Sequence, residues 1–152
     1  MMFFVFLATI SGAAALVQQL AGHGVDPPAA MRWGLSISLL FFGLDHLRTP
    51  QRYLPMMPSI VPAPRAVVAL TGLCELAGAA GLMVSLLRPA AGWALAIYFV
   101  CVFPANIKNA VHGLDVQGLP SARSYYWIRL ALQPLAVWWP LYAAGVTTLP
   151  FG

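Results

Sequence analysis

Five stretches of about 20 residues, each long enough as a helix to cross a bilayer core about 30 Å thick, follow one another along the chain. They are residues 3–20, 28–47, 66–87, 90–110 and 125–144. The first has no charge. The second holds Arg32 near one end with Asp45 and His46 near the other, the third only Glu75, the fourth only Lys108 and the fifth only Arg129. Together they use about two thirds of the chain at this span length, which leaves no room for a separate soluble domain. The reading predicts an all-α membrane protein, a single compact transmembrane helix bundle over 1–152, with a Pro-rich interfacial loop at 48–64.

Charged residues make up 8% of the chain, against about 25% in an ordinary soluble domain. Such a surface excludes a soluble enzyme and a disordered tail. The net charge of +4 comes from basic residues scattered singly, so nothing forms a nucleic-acid patch. The lipid bilayer is the partner that composition fixes; a redox enzyme subunit and a second copy of the chain stay open. Cys74 and Cys101 lie in apolar runs and give neither a disulfide framework nor a metal spacing, so they read as small buried apolar residues.

A cleaved signal peptide also begins with an apolar run, but it opens with Lys or Arg, and nothing before Arg32 is basic. A retained first helix is expected. Loops two and four with their flanking helix ends hold Arg48, Arg52, Arg65, Lys108, Arg123 and Arg129, against Arg32 and Arg88 on the other side. The positive-inside bias then places those loops and the N-terminus in the cytoplasm and the C-terminus outside, in the cell membrane.

The polar residues collect at one end of the bundle. Asp45 and His46 end helix two, and Glu75 lies about nine residues into helix three, roughly 14 Å deep from the same loop. Asn106 and Asn109 come just before loop four, and Arg129 and Gln133 just after it. Asn106 and Asn109 are three apart and Arg129 and Gln133 four apart, so each pair shares a helix face, with Tyr126 joining the second face at i−3. A carboxylate in hydrocarbon faces the bundle interior and pairs; Arg129 is its expected partner, His46 the second choice. The candidate ligand pocket is therefore His46, Glu75, Asn106, Arg129, Gln133 and Tyr126, open to one side above a hydrophobic floor.

Pro104 frees the Val100 carbonyl and Pro134 the Leu130 carbonyl, both beside this cluster. Freed carbonyls in a membrane need new donors, so repair of the kinks explains Asn106 and Gln133 as well as ligand contact does. In loop two, Thr49 then Pro50 reads as an N-cap and first helical position, with a short helix over 50–54 and a Pro-braced turn behind it. This segment is either a lid over the pocket or an amphipathic strap. His46 and His112 have no fixed metal spacing, and His23 sits in the opposite loop. There is no flavin, haem or metal signature and no Gly-rich phosphate loop. Trp93, Trp127, Trp138 and Trp139 suit an interfacial aromatic belt.

The run FFGLDHLRTPQRYLPMMPSIVPAPRAVVALTGLCELAGAAGLM, followed by VFPANIKNAV and WIRLALQPLAVWW, resembles the DoxX-like small membrane proteins over residues 32–139. The shared order is G-x-x-H, a Met-Pro loop, G-x-x-E, Phe-Pro-Ala-Asn, then W-x-R followed by Gln. It falls on Gly43, His46, Pro58, Gly72, Glu75, Pro104, Asn106, Trp127, Arg129 and Gln133. The resemblance implies a four-helix bundle, supplied by helices two to five, with the N-terminal helix an addition. It also implies an association with quinone-linked oxidoreductases or with membrane assembly.

Two functions follow as expectations. One is a redox-associated membrane subunit whose pocket binds a quinone or similar amphiphile, Arg129 and Gln133 bonding its carbonyls while Glu75 and His46 handle protons. The other is a non-catalytic assembly or stability partner whose polar network fixes the bundle. A small-molecule carrier lacks the paired broken helices of a transporter repeat and ranks below both.

Overall fold

The computed structural model describes residues 2–22, 24–113 and 123–148; His23, the middle of loop four and the chain ends lie outside the described residues. All regular structure among them is helical. The helices are α1 (Met2–Leu20), α2 (Pro27–Arg48), α3 (Pro64–Met83), α4 (Arg88–Cys101), α5 (Phe103–His112), α6 (Arg123–Ala131) and α7 (Gln133–Ala143). Among the described residues, three helices are long and apolar enough to cross a membrane: α1, α3, and α4 taken together with α5. The other two expected spans differ for visible reasons. Helix α2 carries Arg32, Asp45 and Arg48, and the fifth stretch is divided at Leu132 into α6 and α7, each too short alone.

Local sequence explains the ends. The Asp26 side chain accepts from the Ala29 N–H at 3.0 Å and Pro27 and Pro28 open α2, a cap of about 1 kcal/mol. Prolines also open α3, α4, α5 and α7. In the two broken spans the proline lies just inside the second half, so the ladder is interrupted at Val102 before Pro104 and at Leu132 before Pro134.

Helix α2 packs between α1 and α3; α3 packs on α4, α4 on α7, and α7 returns to α2. Four helices thus close a ring, with α1 against its α2 side. Leu7, Leu35, Leu39, Leu82 and Leu95 fill the core, each fully or almost fully buried. Away from the polar end, Arg32 donates to the Ala143 carbonyl at 2.9 Å and Trp139 to the Met31 carbonyl at 3.2 Å, tying α2 to α7. Leu70, Leu73, Trp93, Ile97, Val100, Trp127 and Ile128 face outward, a surface suited to hydrocarbon. Cys74 and Cys101 are on that outward surface as free thiols, not buried as expected; each falls on the face of its helix turned from the ring.

Loop two departs from expectation in form. It makes two 3-10 turns, Pro50–Arg52 and Leu54–Met56, instead of one helix over 50–54, because Pro55 interrupts the chain after the first turn. Thr49 does not cap it: its hydroxyl donates back to the Asp45 carboxylate and carbonyl, closing α2 instead.

Candidate functional site

Gly43 and Gly72 mark the crossing of α2 and α3. A Cβ on Gly43 would stand 2.9 Å from the Gly72 carbonyl oxygen, and one on Gly72 would stand 2.8 Å from that of Gly43. The two backbones touch there, as small residues allow in membrane helices. His46 and Glu75 lie three residues beyond these glycines, so one crossing sets their meeting. His46 Nδ1 is 3.2 Å from Glu75 Oε2 and 2.8 Å from the Phe42 carbonyl oxygen. A carbonyl only accepts, so Nδ1 carries the proton. That N–H is committed to Phe42, and Oε2 lies beside it without a directed hydrogen bond. The other carboxylate oxygen, Oε1, accepts from the Tyr98 hydroxyl of α4 at 2.7 Å. Glu75 is buried, 5% exposed.

The expected Glu75–Arg129 pair is therefore corrected: the contacts of Glu75 are His46 and Tyr98. Arg129 lines the same cavity as Glu75, with Asn106 and Gln133. The Gln133 amide Nε2 donates to the Phe99 carbonyl at 2.5 Å, so kink repair claims that end of Gln133. The repaired carbonyl is that of Phe99, one residue from the expected Val100. The side chains of Arg129 and Asn106 make no hydrogen bond or ion pair among the described residues.

These residues line a cavity of about 130 Å³. Phe3, Phe42 and Phe99 give it an aromatic side, with Phe3 ring centroids 5.6 Å from Phe42 and 5.7 Å from Phe99. Loop two covers it with Tyr53, Met56 and Met57. The cover is anchored at both ends. Asp45 accepts from Arg52 at 2.6 Å and from the Tyr53 hydroxyl, and Lys108 of α5 donates to the Met57 carbonyl. The Tyr53 ring lies flat on the His46 ring, centroids 3.8 Å apart. Burial, then the bond to Asp45, pushes the Tyr53 phenol above its ordinary pKa, so it stays a donor. Asp45 thus holds the cover while its neighbour His46 faces inward.

The structure brings His46, Glu75, Asn106, Arg129 and Gln133 to this one cavity and leaves Tyr126 off its wall. Tyr126 packs with Ala110 and, edge to face at 4.9 Å, with Tyr125. Tyr125 is the residue that lines the cavity. The reason is register: Tyr125, Arg129 and Gln133 recur every four residues and make one stripe along α6 and α7, while Tyr126 turns toward α5. Asn109 is likewise off the cavity, fully buried beside Ala110, its amide unbonded among the described residues. Tyr98 was missed as well. Its signal was the stripe Tyr98–Val102–Asn106 running back from an amide already singled out.

Fold and site together define a protein whose regular structure among the described residues is all helical, with three helices there long and apolar enough to cross a membrane and a largely apolar cavity that carries a few polar groups near one end of the helix ring. Residues 35–144 match the family described as a domain of unknown function (DUF8561), and the chain belongs to that family. No curated protein and no solved structure matches the chain. The family match begins inside α2, so α1, whose Phe3 and Phe4 line the cavity, lies outside it.

Proposed function

We propose that the protein is a multi-pass membrane protein, with loops two and four on the cytoplasmic side, that binds a quinone or similar ring-bearing amphiphile and serves a redox enzyme as a membrane subunit. One observation carries this reading: the cavity lined by His46, Glu75 and Tyr98 also holds a guanidinium, Arg129, and an amide, Asn106, that make no hydrogen bond or ion pair among the described residues. An unpaired guanidinium in apolar surroundings is costly, and an oxygen-bearing ligand lowers that cost. The volume of about 130 Å³ is close to the roughly 150 Å³ that accommodates benzene. A quinone ring presents oxygens on opposite sides. One meets Arg129 and Asn106; the other meets the Nε2 face of His46, the ring nitrogen opposite the protonated Nδ1. A neutral Nε2 accepts a proton from a quinol hydroxyl, and Glu75 beside the imidazole stabilises the cation so formed. The electrons released as the quinol is oxidised pass to the partner enzyme. The motif order, which resembles that of DoxX-like proteins, supports the same assignment. Titration of the purified protein with a water-soluble benzoquinone, followed by tryptophan fluorescence, is expected to saturate, and Arg129→Ala to weaken binding. A flat titration in the wild type rejects the reading.

A second reading is favoured by one feature. The polar contacts that are made, Tyr98 to Glu75, His46 to Glu75 and Gln133 to Phe99, each tie two different helices. The protein is then an assembly partner held together by this network. Under it, Glu75→Gln lowers thermal stability in detergent, and a partner's activity falls only in step with protein level.

A further inference from the structure

Gln133 is the one residue among those described that lines both the central cavity and a second, shallow depression. The rest of that depression is Phe103, Leu130, Ala131, Pro134 and Val137. It lies where both broken spans break, α4 from α5 and α6 from α7, and it faces the outer surface, since Ala131 and Pro134 are exposed. The small Ala131 and the compact Pro134 leave a trough there with no polar side chain except Gln133.

Resting on the binding reading above, we propose that the bound amphiphile carries an apolar tail, which leaves the cavity past Gln133 and lies in this trough. The cavity has room for a ring and little more, so a tail must exit. Loop two closes one side with Tyr53, Met56 and Met57, held by Lys108. The first turn of α1 closes another with Phe3 and Phe4. Between the two breaks Gln133 lines both spaces, and its side chain is held to α4 by one hydrogen bond to the Phe99 carbonyl. In this proposal a rotamer change of Gln133, which breaks that one bond, is the step that opens the cavity to the trough. The bilayer is where a tailed amphiphile resides, and the trough opens on the surface that carries Val100, Trp127 and Ile128.

The test uses the full-length protein in detergent micelles and two probes: a benzoquinone ring without a chain, and the same ring with an alkyl chain bearing a diazirine on its first methylenes. Photolysis is expected to label Phe103 and the 130–137 segment. Ala131→Phe, which fills the trough from an exposed position, is expected to weaken the tailed probe at least about tenfold, the scale of overpacking, and to leave the chainless ring unchanged. Ala94→Phe, the same bulk on an exposed position of α4, leaves both probes unchanged. Labels on Met56, Met57 or Phe3, or unaltered binding of the tailed probe to Ala131→Phe, overturn the proposal while the binding reading stands. Failure of the chainless ring to bind wild-type protein overturns both.

Discussion

Gly43 and Gly72 stand against each other where α2 crosses α3, each placed so that an added Cβ would fall within 3 Å of the other's carbonyl oxygen. One turn further on, the same two helices present His46 and Glu75. The glycines are thus part of the site: they set the distance between two ionisable groups by setting the distance between two backbones.

Gly43→Ala is expected to push the helices apart and cost about 1–3 kcal/mol, the range of overpacking. Gly12, with nothing within 4 Å of a Cβ, is the contrast; in mid-helix, Gly12→Ala is expected to be neutral or to gain up to about 1 kcal/mol. Thermal unfolding in detergent reads both. Equal effects at the two positions would remove the special role of the crossing.

The Tyr98 hydroxyl is the directed donor to Glu75. Tyr98→Phe is expected to cost roughly 1.5–3 kcal/mol, the range for a hydrogen bond to a charged group. Tyr126→Phe, off the cavity wall, is expected to leave ring binding unchanged. Unfolding and binding measured on both variants separate the two tyrosines; a Tyr98→Phe protein as stable as wild type contradicts the assignment.

Asp45 gathers Thr49, Arg52 and Tyr53. Asp45→Ala is expected to release loop two, lifting the Tyr53 ring from His46. Hydrogen exchange of residues 50–57 should then quicken severalfold while α3 and α4 keep their protection. Unchanged exchange in that segment means the cover is held by something else.

Ala63, between two prolines, has φ 49°, a left-handed conformation that costs a side-chain-bearing residue about 1–2 kcal/mol. Ala63→Gly is expected to hold stability or raise it by up to about 1 kcal/mol, against the usual penalty for added glycine. A clear loss of melting temperature contradicts this.

The wide outlines were legible because charge scarcity and span length act over twenty residues at a time. Depth counting from loop two brought His46, Glu75, Arg129 and Gln133 to one end without any knowledge of contacts. What was illegible depended on rotation about helix axes. Tyr125 and Tyr126 differ by one position and about 100°, and α6 is too short for hydrophobicity to fix which one faces inward. Pairing failed for a related reason: Arg129 offered the larger charge, but the glycine crossing gave His46 the shorter reach, and Tyr98 looked like one more aromatic in an apolar helix. The breaks in spans four and five and Gln133 as a donor beside them were legible from Pro104 and Pro134, whereas its acceptor, the Phe99 carbonyl, required the fold.

The decisive measurement is the affinity of a chainless benzoquinone for wild-type protein, Arg129→Ala and Asn106→Ala, with the melting temperature of each recorded alongside. A ligand seated in this cavity predicts saturable binding that weakens about tenfold or more in Arg129→Ala, which removes a charge-assisted contact of roughly 1.5–3 kcal/mol, and several-fold in Asn106→Ala, which removes a neutral one of about 0.5–1.5 kcal/mol, while melting temperature barely moves. Unchanged affinity with a large fall in melting temperature would make the cluster a structural network and contradict the account.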